Sequence, residues 1–355
     1  MASSNSTRFL DSSSESLALA NKIFTGIVNE AARSATFLWD KELPYIMRKN
    51  VEGGGKSFQF LRWGKLPDPE NFEPGDEVLG QAFAVDEGTI TTDKFLVAHN
   101  FVPQDHMEYA QFDVLARLGK SQGAAIGRLY DKRLFTLAAK GARTYANTAT
   151  TKNGLNIHPG SNRVTRTGAT VNTGTPSYTS DSTGAANVRA DLRSLALLMD
   201  KDNLSPMNRD VYIIPDVKNS LLFDTTAQVF SRDYISGENN IQNREVTKLE
   251  GFSIRGIPNQ SSAGGPMPNE NLVDTALSKY TGNFLASGTN GFPLALAFAE
   301  GSDGGAALGV MTYSKIRTVV IHQETKLGYL VMSYLLVGAD VMGPDLIGVV
   351  ENTVS

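Results

Sequence analysis

Hydrophobic and polar positions alternate in two stretches between residues 51 and 103, which is typical of β-strands. The first stretch covers residues 57–63 and the second covers 89–97, and the segment 66–77 between them contains three prolines and a glycine that exclude regular structure. The pattern therefore predicts a long two-stranded ribbon. Such a ribbon is marginal in water, because ordering the backbone costs about 1 to 2 kcal/mol per residue while little surface is buried.

Aromatic side chains recur along this ribbon, at Phe58, Phe60, Trp63, Phe72 and Phe83. Large apolar groups on an element without a core of its own would face water in a single chain, which is unfavourable. Interfaces between protein chains are enriched in such side chains. We therefore predict that another chain covers the ribbon.

The apex of the ribbon is acidic, and the helix predicted after it has a basic face. The acidic residues are Glu70, Glu73, Asp76 and Glu77, and the basic residues assigned to the contact are Arg117, Lys120, Arg128 and Lys132, with Arg133, Lys140 and Arg143 further along. If the ribbon of one subunit lies over the helix of the next, the two patches neutralise each other. Exposed ion pairs contribute only about 0 to 1 kcal/mol each, so they would set register more than strength. Solvated charge on both surfaces is the alternative hypothesis.

The helix that follows the ribbon is the longest pattern in the chain. Apolar residues at spacings of three and four predict one helix over residues 105–140. Gly119, Gly123 and Gly127 recur every four residues within it, although each glycine weakens a helix by up to about 1 kcal/mol relative to alanine. We interpret these glycines as sites of close core packing under a neighbouring sheet.

A shorter amphipathic pattern precedes the ribbon. Ser12 and Glu15 have the spacing of a capping box, and the apolar residues after them predict a helix that ends near Ala35. We interpret this helix as an arm that lies outside the domain core.

The second half of the chain predicts an α/β unit and a final hairpin. Residues 144–184 are rich in Thr, Asn, Ser and Gly, which favours a surface insertion or a loosely ordered excursion. The predicted elements after it are a helix with Val188, Leu192, Leu195 and Met199 turned inward, a strand at 211–214, a helix opened by Pro215, and a strand pair around 251–255. Residues 316–323 and 330–339 predict the hairpin.

Composition narrows the classes of function. The 355 residues have a net charge of −4 and include no cysteine, which argues against a sequence-reading nucleic-acid protein and excludes disulfides and thiolate metal sites. We expect neither secretion nor a membrane partner, because no secretory signal and no membrane-spanning apolar stretch is visible. None of the four histidines has metal-ligand spacing, so we predict no metal. No nucleophile elbow of the Gly-x-Ser-x-Gly type is visible either, and we predict no cofactor and no catalytic residues.

One short motif resembles a phosphate-binding loop. Residues 53–57 match the end of a P-loop, but Asn50 stands where that motif has its first glycine. A strand is also predicted where the motif requires a helix whose N-terminus faces phosphate. We interpret the glycines as a flexible hinge at the base of the ribbon, and a P-loop nucleotide-binding enzyme is the remote alternative.

Six short stretches along the chain carry a resemblance to a known family. They are residues 17–19 with Lys22, Phe24, Gly26 and Val28; residues 55–57 with Gln59 and Phe60; residues 210–216; residues 251–252 with Ile254; residues 307–310; and residues 343–345. Together they resemble the major capsid proteins of T7-like short-tailed phages. The order of an arm helix, a hairpin, a long helix, an α/β unit and a returning hairpin is also that of the HK97-type capsid fold.

This resemblance implies an α+β subunit of the HK97 type. An N-terminal arm would occupy residues 1–50 and an extended E-loop residues 51–103. A peripheral domain would combine the spine helix and insertion of 104–185 with the C-terminal β-hairpin of 307–355. An axial domain would occupy residues 186–306.

The resemblance also implies a structural viral protein and not an enzyme. A bacteriophage major capsid protein self-assembles through hexamers and pentamers into an icosahedral capsid that encloses double-stranded DNA without sequence-specific binding. Its expected partners are copies of itself, a scaffolding protein, a portal protein and, in some shells, a cement protein. We expect it in the virion capsid, after assembly in the host bacterial cytoplasm and without covalent crosslinks. An encapsulin-like nanocompartment shell is the alternative within the same fold.

Overall fold

The computed structural model of the protein describes residues 14–38, 42–51, 55–63, 69–75, 77–78, 80, 85–109, 113–146, 151–152, 155–156, 162–165, 178, 182–201, 204–222, 246–258, 265–268, 277–282, 291, 293–301 and 305–351. The described helices are α1 (Ser14–Ala35), α2 (Gln104–Tyr109), α3 (Val114–Ala146), α4 (Ser182–Lys201) and α5 (Pro215–Leu221). The described strands are β1 (Ile46–Asn50), β2 (Ser57–Trp63), β3 (Val85–Thr91), β4 (Leu96–Pro103), β5 (Thr151–Lys152), β6 (Leu155–Asn156), β7 (Arg163–Thr165), β8 (Asp210–Ile213), β9 (Lys248–Leu249), β10 (Phe252–Gly256), β11 (Pro293–Phe298), β12 (Leu308–Gln323), β13 (Gly328–Val341) and β14 (Ile347–Glu351).

Helices α1 and α3 lie side by side and run in the same direction. Going along both helices, the contacts join Phe24 to Gly119, Val28 to Gly123 and Ala32 to Gly127. The three α1 side chains are buried in the main hydrophobic core, so the interpretation of α1 as lying outside the core is wrong. The glycines do mark close packing, as predicted, but their partner is a helix and not a sheet.

The long helical pattern forms two helices instead of one. Helix α2 ends at Tyr109 and α3 begins at Val114, where a single helix over 105–140 is predicted. The carboxylate of Asp113 accepts a hydrogen bond from the main-chain N–H of Ala116 at 3.0 Å. This is N-cap geometry, which supplies an acceptor to a donor that the first turn leaves without one. A capping residue therefore starts a new helix within a continuous apolar pattern.

Four strands form one sheet in the order β1–β12–β13–β4. Strands β12 and β13 pair antiparallel around the turn Glu324–Lys326, which confirms the predicted hairpin. Helix α3 covers one face of this sheet. There the side-chain amide of Gln122 donates to the carbonyl of Val331 at 3.3 Å and accepts from the hydroxyl of Ser333 at 2.7 Å.

Six strands form a second sheet in the order β7–β14–β11–β8–β10–β9. Helix α4 packs on it, and its buried Val188, Leu192, Leu195 and Met199 confirm the predicted inward face. Strands β7 and β14 come from segments expected in the peripheral domain, whereas β8, β10 and β11 come from the expected axial domain. The sheet therefore crosses the expected boundaries between residues 185 and 186 and between 306 and 307, and the division into domains stays a prediction.

Part of the segment 144–184 belongs to the body of the protein. Strand β7 pairs in parallel with β14, and Val164 on it is buried. Tyr178 is also buried, and its hydroxyl donates to the carboxylate of Asp191 at 2.6 Å. The interpretation as a surface insertion is therefore wrong for residues 162–165 and for Tyr178.

An aromatic cluster forms the centre of the core. The rings of Tyr45 and Phe298 stack with centroids 5.0 Å apart, and Phe135 of α3 meets Tyr212 of β8 edge to face at 5.3 Å. Such pairs contribute about 0.5 to 1.5 kcal/mol beyond their buried area. The cluster fixes α3 against the six-stranded sheet and against the chain that leads into β1.

Candidate functional site

Strands β2 and β3 form a two-stranded ribbon that pairs with neither larger sheet. Its antiparallel register runs from Ser57 opposite Thr91 to Trp63 opposite Val85, so the first predicted strand is confirmed residue for residue. Phe60 lies opposite Gly88 and covers it with its ring, since a Cβ atom on the glycine would lie 2.2 Å from that ring. An aromatic residue beside a glycine compensates for the missing side chain in a strand pair.

The second predicted strand, residues 89–97, is in fact two strands. Strand β3 ends at Thr91 in the ribbon, and β4 begins at Leu96 beside β13 in the four-stranded sheet. Residues 92–95 carry the chain from the ribbon into the four-stranded sheet, and we call them the elbow. Alternation of polar and apolar residues continues through such a bend, so the pattern alone cannot reveal it.

The base of the ribbon packs on the four-stranded sheet. Phe60 and Ile90 are buried together with Met311 of β12, and Phe58 lies partly buried at their edge. Lys49 of β1 places its ammonium group 4.0 Å from the centre of the Phe58 ring. The protein's own body therefore covers Phe60, which corrects the prediction that another chain is needed there.

The apex of the ribbon is exposed to solvent. Glu70, Phe72, Glu73 and Glu77 all have exposed side chains, and Phe72 retains 45% of its accessible surface. Asp76, Phe83 and the side chain of Trp63 lie outside the described residues. The described part of the apex is thus available to a second molecule.

Four basic residues form a stripe along α3. At 3.6 residues per turn, Arg117, Lys120, Arg128 and Lys132 lie within about a third of the helix circumference. The first three are exposed and Lys132 is half-buried. The other basic residues predicted on this face have roles inside the fold: Arg133 is buried, Lys140 donates to the carbonyl of Lys279, and Arg143 pairs with Glu351. Contact between this stripe and the acidic apex of a second copy stays a prediction.

One face of the four-stranded sheet is largely apolar and partly exposed. The register places three rows of side chains on it, namely Arg317–Tyr334–Val97, Val319–Met332–His99 and Ile321–Leu330–Phe101. Val97, Phe101 and Ile321 remain 47%, 41% and 41% exposed, and the central β13 residues are half-buried. We call these nine residues the outer sheet face. Exposed apolar patches of this kind mark interaction surfaces.

Sequence reasoning missed the outer sheet face, although a signal for it exists. Strand β13 is apolar at nearly every position from Tyr329 to Val337, and its opposite face meets α3. A strand that is apolar on both faces is expected to be covered on both faces, so this pattern is a local signal for a partner on the outer sheet face. Recognition of this required the pairing register, which the single sequence does not reveal.

A buried polar cluster ties the segment before β1 to the six-stranded sheet. The Tyr45 hydroxyl donates to the carboxylate of Asp210 at 2.9 Å and lies 2.7 Å from the Tyr212 hydroxyl. Arg255 pairs with the same carboxylate at 2.9 Å. Burial raises the pKa of Tyr212 to about 12, and burial with its charged neighbourhood raises the pKa of Tyr45 well above its usual value. Near neutral pH both tyrosines therefore act as hydrogen-bond partners and not as bases.

Glu351 of β14 is buried between two arginines. Its carboxylate pairs with Arg143 of α3 on one side and with the Nη2 of Arg163 of β7 at 2.8 Å on the other. A buried carboxylate is tolerated only when it is paired in this way. Glu351 therefore joins helix α3 to strands β7 and β14 at the edge of the six-stranded sheet.

The chemistry of the enzyme alternative has no geometric support at residues 55–57. Strand β2 begins at Ser57 directly after Lys56, so a strand stands where a P-loop requires a helix. Among the residues that the structure describes, no group of three or more His, Asp and Glu side chains could hold a metal ion. None of the described helices has the length and apolar character needed to cross a membrane.

Comparison with known proteins identifies the family. The sequence profile of the Gp10A-like family, described as a major capsid protein, matches residues 66–290, which is more than half of the chain. No curated protein matches the sequence. Among solved structures, the capsid of the cyanophage P-SCSP1u matches with a TM-score of 0.67 at 22% identity, covering 88% of each chain. The mature capsid of bacteriophage PhiM1 matches with a TM-score of 0.66 at 16% identity, covering 89% of this chain and 88% of that one.

Both structural similarities extend over most of each chain, at sequence identities that establish the fold alone. They confirm the α+β fold of the HK97 type. The family match, which rests on sequence, adds the function. The chain belongs to the Gp10A-like family of phage major capsid proteins, the subunits that self-assemble into icosahedral capsid shells.

Proposed function

We propose that the protein is the major capsid protein of a T7-like short-tailed phage and that its shell encloses double-stranded DNA. The observation that carries this proposal is the ribbon, whose base is buried by its own chain and whose acidic apex is exposed. Because the base of the ribbon is anchored and its apex is exposed, the apex is placed to contact a neighbouring subunit. The net charge of −4 is consistent with a shell that encloses DNA without binding its phosphate groups tightly.

Two surfaces complete the proposed contact between subunits. The acidic apex, with Glu70, Glu73, Asp76 and Glu77, lies over the basic stripe of the next subunit, and Phe72 and Trp63 add apolar contact. The outer sheet face supplies the second surface, because its exposed apolar rows would otherwise meet water. Interfaces of stable assemblies combine an apolar centre with a polar rim in this manner.

The proposal includes further partners. A scaffolding protein directs assembly in the host bacterial cytoplasm, a portal protein occupies one vertex, and the outside of the shell is a candidate surface for a cement protein. Enclosed DNA is held without sequence-specific contacts. An encapsulin-like shell, which encloses an enzyme, uses the same fold but is not favoured by the family match.

Electron microscopy of particles purified from phage-infected bacteria tests the proposal. We expect closed icosahedral shells whose DNA resists added nuclease until the shells are broken. The maps should show each ribbon apex on the α3 stripe of an adjacent subunit. Shells that contain a cargo enzyme and no nuclease-resistant DNA would support a nanocompartment instead.

A further inference from the structure

The elbow contains one buried charged side chain beside two exposed side chains. Asp93 is 9% exposed, whereas Lys94 is exposed and Phe95 retains 59% of its surface. The main chain of Asp93 is also fixed, since its N–H donates to the carbonyl of Val337 on β13 at 3.2 Å. On the ribbon side, the N–H of Thr92 donates to the carbonyl of Lys56 at 2.9 Å. The turn is thus held by both the sheet and the ribbon.

The carboxylate of Asp93 meets two groups from a distant part of the sequence. One oxygen pairs with the ammonium group of Lys279, and the other accepts a hydrogen bond from the hydroxyl of Tyr280. Burial, together with Tyr130 and Asp93, raises the pKa of Tyr280 well above its usual value, so the hydroxyl remains a donor. Lys279 also donates to the carbonyl of Ala339 on β13 at 3.0 Å.

Helix α3 completes this junction. Lys140 donates to the main-chain carbonyl of Lys279 at 2.7 Å, and the guanidinium group of Arg133 lies 5.0 Å from the centre of the Tyr280 ring. Helix α3, strand β13, Lys279, Tyr280 and the elbow therefore share one cluster of buried and partly buried polar contacts.

We propose that Asp93 is the positioning residue of the ribbon, which sets the direction in which the ribbon leaves the body through its contacts with Lys279 and Tyr280. This inference rests on the proposed function of the ribbon in assembly. A buried carboxylate that loses its partners is strongly unfavourable. A swing of the ribbon that carries Asp93 with it withdraws the carboxylate from both partners, so the observed direction is favoured over such alternatives.

The same contacts link the ribbon to residues 277–282 and to α3. A displacement of Lys279 or Tyr280 in one subunit would remove the side-chain contacts of Asp93, and a pull on the ribbon by a neighbouring subunit would be transmitted to those two residues. The ribbon and the spine helix are therefore coupled through side chains far apart in the sequence.

Hydrogen exchange of the unassembled subunit tests the inference with the variant Asp93→Asn. This change removes the charge but keeps the shape of the side chain. We expect amide exchange in residues 57–63 and 85–91 to accelerate on the order of tenfold, the effect of weakening a buried polar contact. Exchange in β8 and in the α4 helix should stay as in the wild type.

The chain offers a matched control in Asp210→Asn. Asp210 is likewise a buried carboxylate that accepts from a tyrosine hydroxyl, Tyr45, and pairs with a basic side chain, Arg255. This control should leave exchange in the ribbon unchanged even where it weakens the six-stranded sheet. Equal acceleration of ribbon exchange in the two variants, or none in Asp93→Asn, would overturn the proposal.

A milder variant keeps the test decisive if Asp93→Asn fails to fold. Tyr280→Phe removes one hydrogen bond and no charge, and it should accelerate ribbon exchange in the same direction by a smaller factor. Unaltered ribbon exchange in folded Tyr280→Phe would then overturn the proposal. Because exchange is read on free subunits, a wild-type chain that forms no shells would count against the proposed function and not against the role of Asp93.

Discussion

The main-chain carbonyl oxygen of Val28 in α1 lies so near Gly123 in α3 that a Cβ atom on the glycine would stand 2.3 Å from it. The variant Gly123→Ala should therefore push the two helices apart. Overpacking of this kind costs typically about 1 to 3 kcal/mol, which exceeds the gain in helix propensity of up to about 1 kcal/mol. Urea unfolding of the free subunit should show the loss.

Gly26→Ala is the matched control for this prediction. Gly26 lies within α1, and a Cβ atom on it would have no neighbour within 4 Å. The same substitution should here stabilise the subunit or leave it unchanged, because only helix propensity is altered. Equal stability of the two alanine variants would show that the glycine contact does not limit the approach of the helices.

Reversal of Glu70 and Glu73 to lysine should impair shell assembly without unfolding the subunit. Both side chains are exposed at the apex, and the proposed contact places them on the basic stripe. Loss of two exposed ion pairs should raise the subunit concentration needed for assembly by about tenfold, measured by light scattering at low salt. High salt should narrow the difference between variant and wild type.

Two further variants show whether the apex acts through the stripe. Reversal of Lys120 and Arg128 to glutamate in the same chain should restore assembly if apex and stripe pair between copies. Reversal of the exposed Glu42 and Glu324, which lie off the ribbon, changes net charge equally and should have little effect. Impairment by this second pair would assign the effect to net charge alone.

Replacement of Val97 and Phe101 by lysine should block assembly while the free subunit stays folded. Both side chains project from β4 on the outer sheet face, and exposed substitutions usually change stability by less than about 0.5 kcal/mol. Electron microscopy should show few shells. Val331→Lys on the covered face should instead unfold the subunit, and normal shells from the double lysine variant would exclude the outer sheet face from the interface.

Glu351→Gln should lower the free energy of unfolding by roughly 3 to 5 kcal/mol, because two arginines lose the charge that compensates them in a buried site. Thermal unfolding of the free subunit would measure this. Glu250→Gln is the comparison, since Glu250 pairs with the largely exposed Arg193 and should matter little. Similar losses in the two variants would contradict a special role for the buried pair.

Stability should fall as pH rises from about 10 towards 12. An unfolded tyrosine has a pKa near 10, whereas burial raises that of Tyr212 to about 12. The unfolded state thus loses its proton first, so stability from this group is complete below pH 10 and is lost above it. Urea unfolding between pH 8 and pH 11 should show the decline, with a shallower slope in Tyr212→Phe. A flat profile would contradict the burial of Tyr212.

Local patterns predicted much of the secondary structure. Strand β2 matches its prediction residue for residue, and the four inward residues of α4 match as well, because alternation and helical spacing are properties of neighbouring residues. The bend at Asp93 and the helix start at Asp113 were missed. Each coincides with a single polar residue within a continuous pattern. The partners of Asp93 are distant in sequence, whereas Asp113 caps Ala116 three residues later, a local signal that the apolar spacing obscured.

Contacts between distant residues were harder to predict. Gly119, Gly123 and Gly127 indicated a close neighbour, but nothing in their spacing distinguishes a helix from a sheet. Exposure of the acidic apex was predictable from its prolines and charges, because it does not depend on how strands pair. The outer sheet face was not predictable as a surface, because its rows join side chains from three strands whose register the sequence does not reveal.

Phe60 and Ile90 of the ribbon pack on Met311, and β14 completes its sheet between β7 and β11. A ribosome therefore releases the ribbon long before it makes the residues that anchor it, and the sheet stays open until residues 347–351 emerge. Nascent chains consequently lack a fixed ribbon to offer to one another. Anchoring of the ribbon and completion of the six-stranded sheet therefore both wait for residues that are translated late.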